Sequence, residues 1–459
     1  MKHCISFLSV LFVIILIQPA TAETTDQWAI RALNIQAAVD NDAPLAETTW
    51  AGTHNSYANA DDDDYSDLNQ AMSIEDQLNS GIRELVFDVY YSGSALRMCH
   101  GTCTKYISGW RKFKYGLSDI RQWLESGNQD QVVMLKLELG SSAKKKQNKV
   151  ENKIEDKIGD YVYRTTNVPG YGDLGGSNCT EIPADTLTKS KILSAGKNII
   201  VMYTDSCMSD DGLNQNVFYG GSSFDDVSSV GDLLDLSSNY KNSTIMRTKD
   251  SATKQGTFGS DTVKIKPSNV ADFMAAGLNI LEVYGFNATG SGWKKDGEYP
   301  VGADDLVWTW DETGKEPNGS GNYAMLESET NRFRDASGSE VKYAACRKLV
   351  NENGSRTYSD WMITATKVTF ADAEATSIDE SNGEYFFAAP RNKIELNSLI
   401  AARNDAGLNS YDLWINYQYV NGSWLADIGE ADTDMTSYCN NGGSGSVCDF
   451  LDEYLNLVQ

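Results

Sequence analysis

Between about residues 46 and 310 the chain alternates short apolar runs with longer polar or amphipathic ones, and that alternation limits what it can fold into. Ile82–Tyr90 reads as a strand with charged insertions. Gln131–Leu139 reads as a strand bounded by Asn128 and Gly140, and Asn198–Tyr203 as a buried one. A helix over Val270–Ala276 precedes a late strand over Leu278–Val283, and Val307–Trp310 closes the region. Ser118–Leu124 reads as a short amphipathic helix, and Lys144–Ile158 as a Lys/Glu-laced helix with a solvated face. Strand and helix in turn make βα units, which assemble as a parallel sheet covered by helices. The expected fold class is therefore α/β, a parallel barrel of TIM type. Active groups in such a barrel cluster at the C-terminal ends of the strands.

The flanks read differently. Lys2 precedes a nearly all-apolar run over Phe7–Ile17, and Ala20-Thr21-Ala22 gives the small-x-small pattern of a cleavage site. Residues 1–22 are thus expected to be a signal peptide, and the protein secreted or periplasmic. Residues 23–45 form a lead-in with an N-terminal helix, which assigns 23–310 to the barrel. After Trp310 the chain turns Gly/Ser/Asn-rich and then mixes aromatic with polar residues, so 311–459 is expected to be a mostly β appendage. Export permits disulfides. Close spacing suggests Cys99–Cys103, Cys179–Cys207 and Cys439–Cys448, with Cys346 left free. The formal charge of −25 argues against nucleic acid, whose phosphates need clustered Lys and Arg, and disfavours a broad basic surface for anionic lipid. Transient contact with a membrane surface stays open.

Two histidines remain once the leader is set aside. His54 lies in Gly52-Thr53-His54-Asn55-Ser56-Tyr57 and His100 in Met98-Cys99-His100-Gly101. Histidine is the side chain whose ordinary pKa lets it give or take a proton near neutrality, so two suffice as base and acid around one phosphorus atom. His54-Asn55 would end a first strand around Thr48–Thr53. Alternation puts Glu84, Val86 and Asp88 on one face of the next, and Lys136 and Glu138 together on the one after it. Two carboxylates at strand ends plus the amide oxygen of Asn55 make a reasonable site for a hard cation, calcium above all.

These residues resemble the X-region of phosphatidylinositol-specific phospholipase C and the wider PLC-like phosphodiesterase superfamily. The likeness runs through Gly52–Tyr57, Gln77–Arg83, Phe87-Asp88, Cys99-His100-Gly101 and Val132–Glu138. It implies a distorted TIM barrel with His54 as general base and His100 as general acid. It also implies a cyclic phosphate as the product. Asn55, Asp88 and Glu138 match calcium-ligand positions of the calcium-dependent branch, with magnesium as the alternative. A late-strand carboxylate would orient the first histidine, and Glu282 is the nearest candidate, with Tyr284 a competitor for the place. The sequence departs from that branch at Val86, where a Glu is expected, and Glu84 sits deeper on the same face. The expected substrate is a phospholipid or inositol-phosphate type of phosphodiester. The alternatives are a sphingomyelinase D- or glycerophosphodiesterase-like enzyme, and a non-catalytic binding protein on the same scaffold. Trp308–Asp311, Glu316-Pro317-Asn318, Phe333-Arg334-Asp335 and Ala344–Cys346 resemble the latter half of a C-type lectin domain, which would imply glycan binding by the C-terminal region.

Overall fold

The computed structural model describes residues 23–61, 68–99, 103, 110–168, 179–203, 207–209, 211–236, 243–248, 265–289, 300–348 and 360–426. The first sheet is built from β1 (Trp50–Thr53), β2 (Glu84–Ser92), β3 (Ala95–Met98), β4 (Val133–Leu139), β5 (Ile199–Tyr203), β6 (Phe218–Tyr219), β7 (Phe224–Val227), β8 (Ile245–Thr248) and β9 (Ile280–Val283). Its order is β6-β5-β4-β2-β1-β9-β8-β7, with every neighbour parallel, and β3 pairs antiparallel with β2. The sheet curls into the expected barrel, and its two edges, β6 and β7, are consecutive in the chain. Among the described residues these edges are not hydrogen-bonded to each other.

Most of the expected elements fall within two residues of their predicted bounds, and the exceptions have local causes. The Ser118–Leu124 helix begins earlier, at Phe113, because Phe113 and Leu117 are fully buried and extend its apolar stripe. The Lys144–Ile158 stretch is two helices, Ser141–Lys144 and Gln147–Ile158. Val307–Trp310 is irregular and follows a short helix, Ala303–Leu306. The β2–β3 hairpin was not anticipated. It turns at Gly93 and Ser94, both at positive φ.

Side-chain alternation splits the barrel into two cores. Phe87, Leu135 and Val201 face outward and pack under Phe113, Ile120 and Ile154 of the surrounding helices. Inward-facing Trp50, Met134, Met202, Phe218, Ile245 and Ile280 form an apolar floor. Two residues further along the strands that floor gives way to charge: Gly52, Lys136, Arg247 and Glu282 follow Trp50, Met134, Ile245 and Ile280, and Glu84 pairs with both Gly52 and Met134.

The second sheet comprises β10 (Tyr323–Leu326), β11 (Phe333–Ala336), β12 (Tyr343–Lys348), β13 (Trp361–Ile363), β14 (Tyr385–Phe387), β15 (Leu413–Val420) and β16 (Ser423–Ala426). Its order is β11-β10-β15-β12-β13, with β14 on β12 and β16 on β15. Helices Ala373–Ser381 and Lys393–Asp405 accompany it. The appendage does not hang free. Trp28 Nε1 of the N-terminal helix (Thr25–Gln36) donates to the Glu316 carbonyl at 2.7 Å, and Tyr417 Oη donates to the Ile35 carbonyl at 2.9 Å. Arg391 reaches Glu47 at 2.8 Å. Trp28, Trp308, Trp310, Phe333 and Tyr417 belong to the same buried apolar cluster as Leu85 and Leu135, so the boundary read at Trp310 lies inside one continuous core.

Cys99–Cys103 and Cys179–Cys207 are disulfide-bonded and Cys346 is free and buried, as spacing suggested. Cys439 and Cys448 lie outside the described residues. In the lectin-like stretch, Glu316 precedes a cis Pro317, and the Arg334 guanidinium bridges the Glu316 and Glu327 carboxylates. Asp335 accepts from the backbone N–H groups of Asn318 and Gly321.

Candidate active site

Each residue of the Gly52–Tyr57 motif has a structural reason. A Cβ at Gly52 would come within 2.3 Å of Glu84 Oε2, so glycine lets the buried Glu84 side chain cross β1. Thr53 Oγ1 donates to Gln77 Oε1 at 2.7 Å, and Gln77 Nε2 donates to the Ser56 carbonyl at 2.9 Å. Ser56 Oγ accepts from the Val86 N–H at 2.9 Å, which ties the turn after β1 to β2. Asn55 takes a left-handed backbone (φ 47°), which Asn tolerates better than most residues. That sharp turn leaves His54 at the C-terminal end of β1, and Tyr57 Oη donates to Asp88 Oδ2 at 3.0 Å.

His54 is 2 % exposed, and its Nδ1 lies 2.6 Å from Glu282 Oε1. The register Gly52↔Glu282 and Thr53↔Val283 on neighbouring parallel strands produces this pair. Glu282 therefore occupies the place for which Tyr284 competed, while the Tyr284 ring stacks near His54 with centroids 6.0 Å apart. The other Glu282 oxygen, Oε2, accepts from Arg247 Nη1 at 3.1 Å and faces Lys136 Nζ at 3.5 Å. Burial alone would raise the Glu282 carboxyl. The positive charges of Lys136 and Arg247, with the His54 hydrogen bond, outweigh it and hold the group well below the usual carboxylate range. An ionised Glu282 accepts from Nδ1 of His54, which makes Nδ1 the protonated nitrogen and turns Nε2 away from Glu282. That is the tautomer a general base needs.

Asp88 and Glu138 are cross-strand partners on β2 and β4. Burial and the neighbouring Glu138 charge push the Asp88 carboxyl up to about 8. On Glu138, burial acts upward but is overcome by Lys136, whose Nζ is 2.9 Å from Oε1, and the group falls to about 2. The two carboxyls thus share one proton near neutrality. Glu84 does not stand in for the Glu expected at position 86. It is fully buried at the level of Gly52, and among the described residues neither of its oxygens has a hydrogen-bond partner. Burial and the Glu282 charge push its carboxyl well above the ordinary range.

Of the expected site residues, the structure therefore brings together His54, Glu282, Asp88 and Glu138, with Asn55 adjacent to His54. His100 lies outside the described residues, although Cys99 before it donates its backbone N–H to the Asp88 carbonyl at 3.1 Å. Lys136 and Arg247 were not anticipated as site residues. A charged residue inside an otherwise apolar strand was the available signal, because burying such a charge demands a partner.

Residues 12–231 match the family model described as the Rv2075c PI-PLC-like domain. That stretch, a little under half of the chain, is similar to a PI-PLC-like domain. Two uncharacterised proteins of Mycobacterium tuberculosis strains, MT2135 and Rv2075c, are each 29% identical over 136 residues. Each match takes in 26% of this chain and 28% of the relative, so it spans little more than a quarter of that relative's length. Among solved structures, a calcium-dependent phosphoinositol-specific phospholipase C from a Pseudomonas species is 13% identical with a TM-score of 0.38, over 54% of this chain and 92% of that one. The phosphatidylinositol-specific phospholipase C of Listeria monocytogenes is 18% identical with a TM-score of 0.37, over 57% and 94%. The matched stretch contains His54, Asp88, Lys136 and Glu138, whereas Arg247 and Glu282 lie beyond it.

Calcium takes six to eight oxygens, mostly carboxylate and carbonyl. Here Glu138 is paired with Lys136 at 2.9 Å, and among the described residues no group of three His, Cys, Asp or Glu could hold a metal ion. A calcium ion between Asp88 and Glu138 would therefore require Glu138 to part from Lys136.

Proposed function

We propose that this chain is a secreted phosphoric diester hydrolase or lyase of phospholipase C type, cleaving the headgroup of a phosphoinositide or similar phospholipid. The observation that carries the reading is the buried His54–Glu282 pair, whose far carboxylate oxygen is held by Arg247 and Lys136. In the proposed reaction His54 Nε2 takes the proton from a hydroxyl beside the phosphodiester. The hydroxyl oxygen attacks phosphorus to form a cyclic phosphate, and the alcohol leaves with a proton supplied by His100. Each proton transfer of this kind contributes about 10²–10⁴-fold. The fixed charges of Lys136 and Arg247 keep Glu282 ionised as His54 becomes positive, which stabilises the imidazolium. The disulfides Cys99–Cys103 and Cys179–Cys207 support an oxidising, extracytoplasmic compartment.

A second reading of the charge balance adds calcium, or magnesium in its place. The adjacent Asp88 and Glu138 favour it, with Asn55 as a further oxygen donor once Lys136 gives up Glu138. Product analysis with phosphatidylinositol and with other phosphodiesters, with and without a chelator, separates the two. Turnover that survives chelation supports the resident cations, and turnover restored only by added calcium supports the metal. Absence of turnover on every diester would overturn the enzymatic reading altogether.

A further inference from the structure

The turn after β4 is strongly basic for so acidic a chain. Residues 141–153 carry Lys144, Lys145, Lys146, Lys149 and Lys153 against Glu151, a local balance of +4 in a chain of −25. Lys144, Lys145, Lys146 and Lys149 are all exposed. Their position follows from the topology. β4 ends at Leu139, one residue past Glu138, and the helix Gln147–Ile158 leads back toward the start of β5, so its first turn stands at the barrel mouth. Gly140 packs directly on the Tyr90 ring, two residues after Asp88, and the Tyr91 N–H donates to Ser142 Oγ at 2.9 Å.

The lysines are arranged around aromatic rings. Lys146 and Lys149 lie 5.9 and 5.0 Å from the centre of the half-buried Tyr91 ring, Lys149 Nζ is 3.4 Å from Tyr91 Oη, and Lys144 lies 5.8 Å from the Tyr203 ring. Lysine beside tyrosine suits a bilayer interface, where both side chains bury apolar parts and keep polar tips in water. The acids nearest the mouth are compensated from within: Glu138 by Lys136, and Asp226 by Arg247 at 2.6 Å. At physiological ionic strength charges are screened over about 8 Å, so an approaching surface senses this patch rather than the net charge.

We propose that Lys145, Lys146 and Lys149, with Tyr91, form a docking surface for an anionic phospholipid bilayer and seat the barrel mouth against it. The choice of a bilayer as occupant rests on the lipid-headgroup reading above, but binding needs no turnover and is tested apart from it. The experiment is co-sedimentation of the full chain with vesicles of phosphatidylcholine alone and of phosphatidylcholine mixed with phosphatidylglycerol. Binding to the mixed vesicles is expected, weakening with added salt. Each basic residue at such a surface contributes roughly fivefold in affinity, so Lys145→Gln/Lys146→Gln/Lys149→Gln should bind roughly 10²-fold more weakly. Turnover of a short-chain, water-soluble diester should be unchanged in that variant. Equal binding to both vesicle types, or unaltered binding by the triple variant, would overturn the proposal. So would a parallel fall in soluble-substrate turnover, which would assign the lysines to the substrate site. A chain that binds the mixed vesicles yet cleaves no diester would keep the docking surface and sink the phosphodiesterase reading instead.

Discussion

At the scale of single residues, the site is organised around one carboxylate with two tasks. Glu282 Oε1 orients His54, and Glu282 Oε2 is held by Arg247 and Lys136. Glu282→Gln keeps the shape but removes the charge. Its kcat should fall by roughly 10²–10⁴-fold with little change in KM, and circular dichroism should show the fold intact. An unchanged kcat would remove Glu282 from the mechanism. His54 and Asp88 were legible in the sequence because their motifs are local: a turn knitted by Thr53, Ser56 and Gln77, and a strand whose alternation is visible. Glu282 could be read only as a nearest candidate, because its partner is 228 residues away and register decides whether residue 282 or 284 faces His54. Arg247 was invisible for the same reason, since its short strand gains its place in the barrel from β7 and β9.

Strand approach accounts for the next level. β1 can lie beside β2 with Glu84 inside the barrel because residue 52 has no side chain. Gly52→Ala should cost about 1–3 kcal/mol through overpacking. In a double-mutant cycle, Glu84→Ala should recover much of that loss. Additive effects of the two changes would show that the contact is not what selects glycine. In the appendage, burial and the hydrogen bond that its protonated form donates to the Asp335 carboxylate raise the Glu316 carboxyl from 4.5 to about 7, so that the two carboxyls share one proton. A carboxyl raised on folding contributes stability that is complete below about pH 4.5 and lost as the pH rises through about 7. Glu316→Gln should therefore unfold at a higher temperature than the wild type at about pH 8, the advantage shrinking toward pH 4. An advantage independent of pH would contradict the shared-proton geometry. The strands of this sheet were legible only as a mostly β texture, because their pairing mixes parallel and antiparallel neighbours from distant segments.

The whole molecule joins its two sheets through one apolar core running from Leu85 to Trp424, with Arg391–Glu47 and Trp28–Glu316 as polar ties. Calorimetry should accordingly show a single unfolding transition, and two well-separated transitions would contradict that continuity. The composition change after Trp310 signalled a second sheet but not its attachment, since a shared core is built from contacts between residues hundreds of positions apart. The open seam between β6 and β7 was equally unreadable, because both are short and their pairing is decided by barrel curvature. At this scale the central proposal is that the barrel mouth cleaves phosphodiesters with His54 as base. Its most direct test is product analysis on phosphatidylinositol with the wild type and His54→Ala. The expected result is a cyclic inositol phosphate from the wild type and a rate roughly 10²–10⁴-fold lower in the variant. Full activity in His54→Ala, or no cleavage of phosphatidylinositol or any other phosphodiester by the wild type, would contradict it.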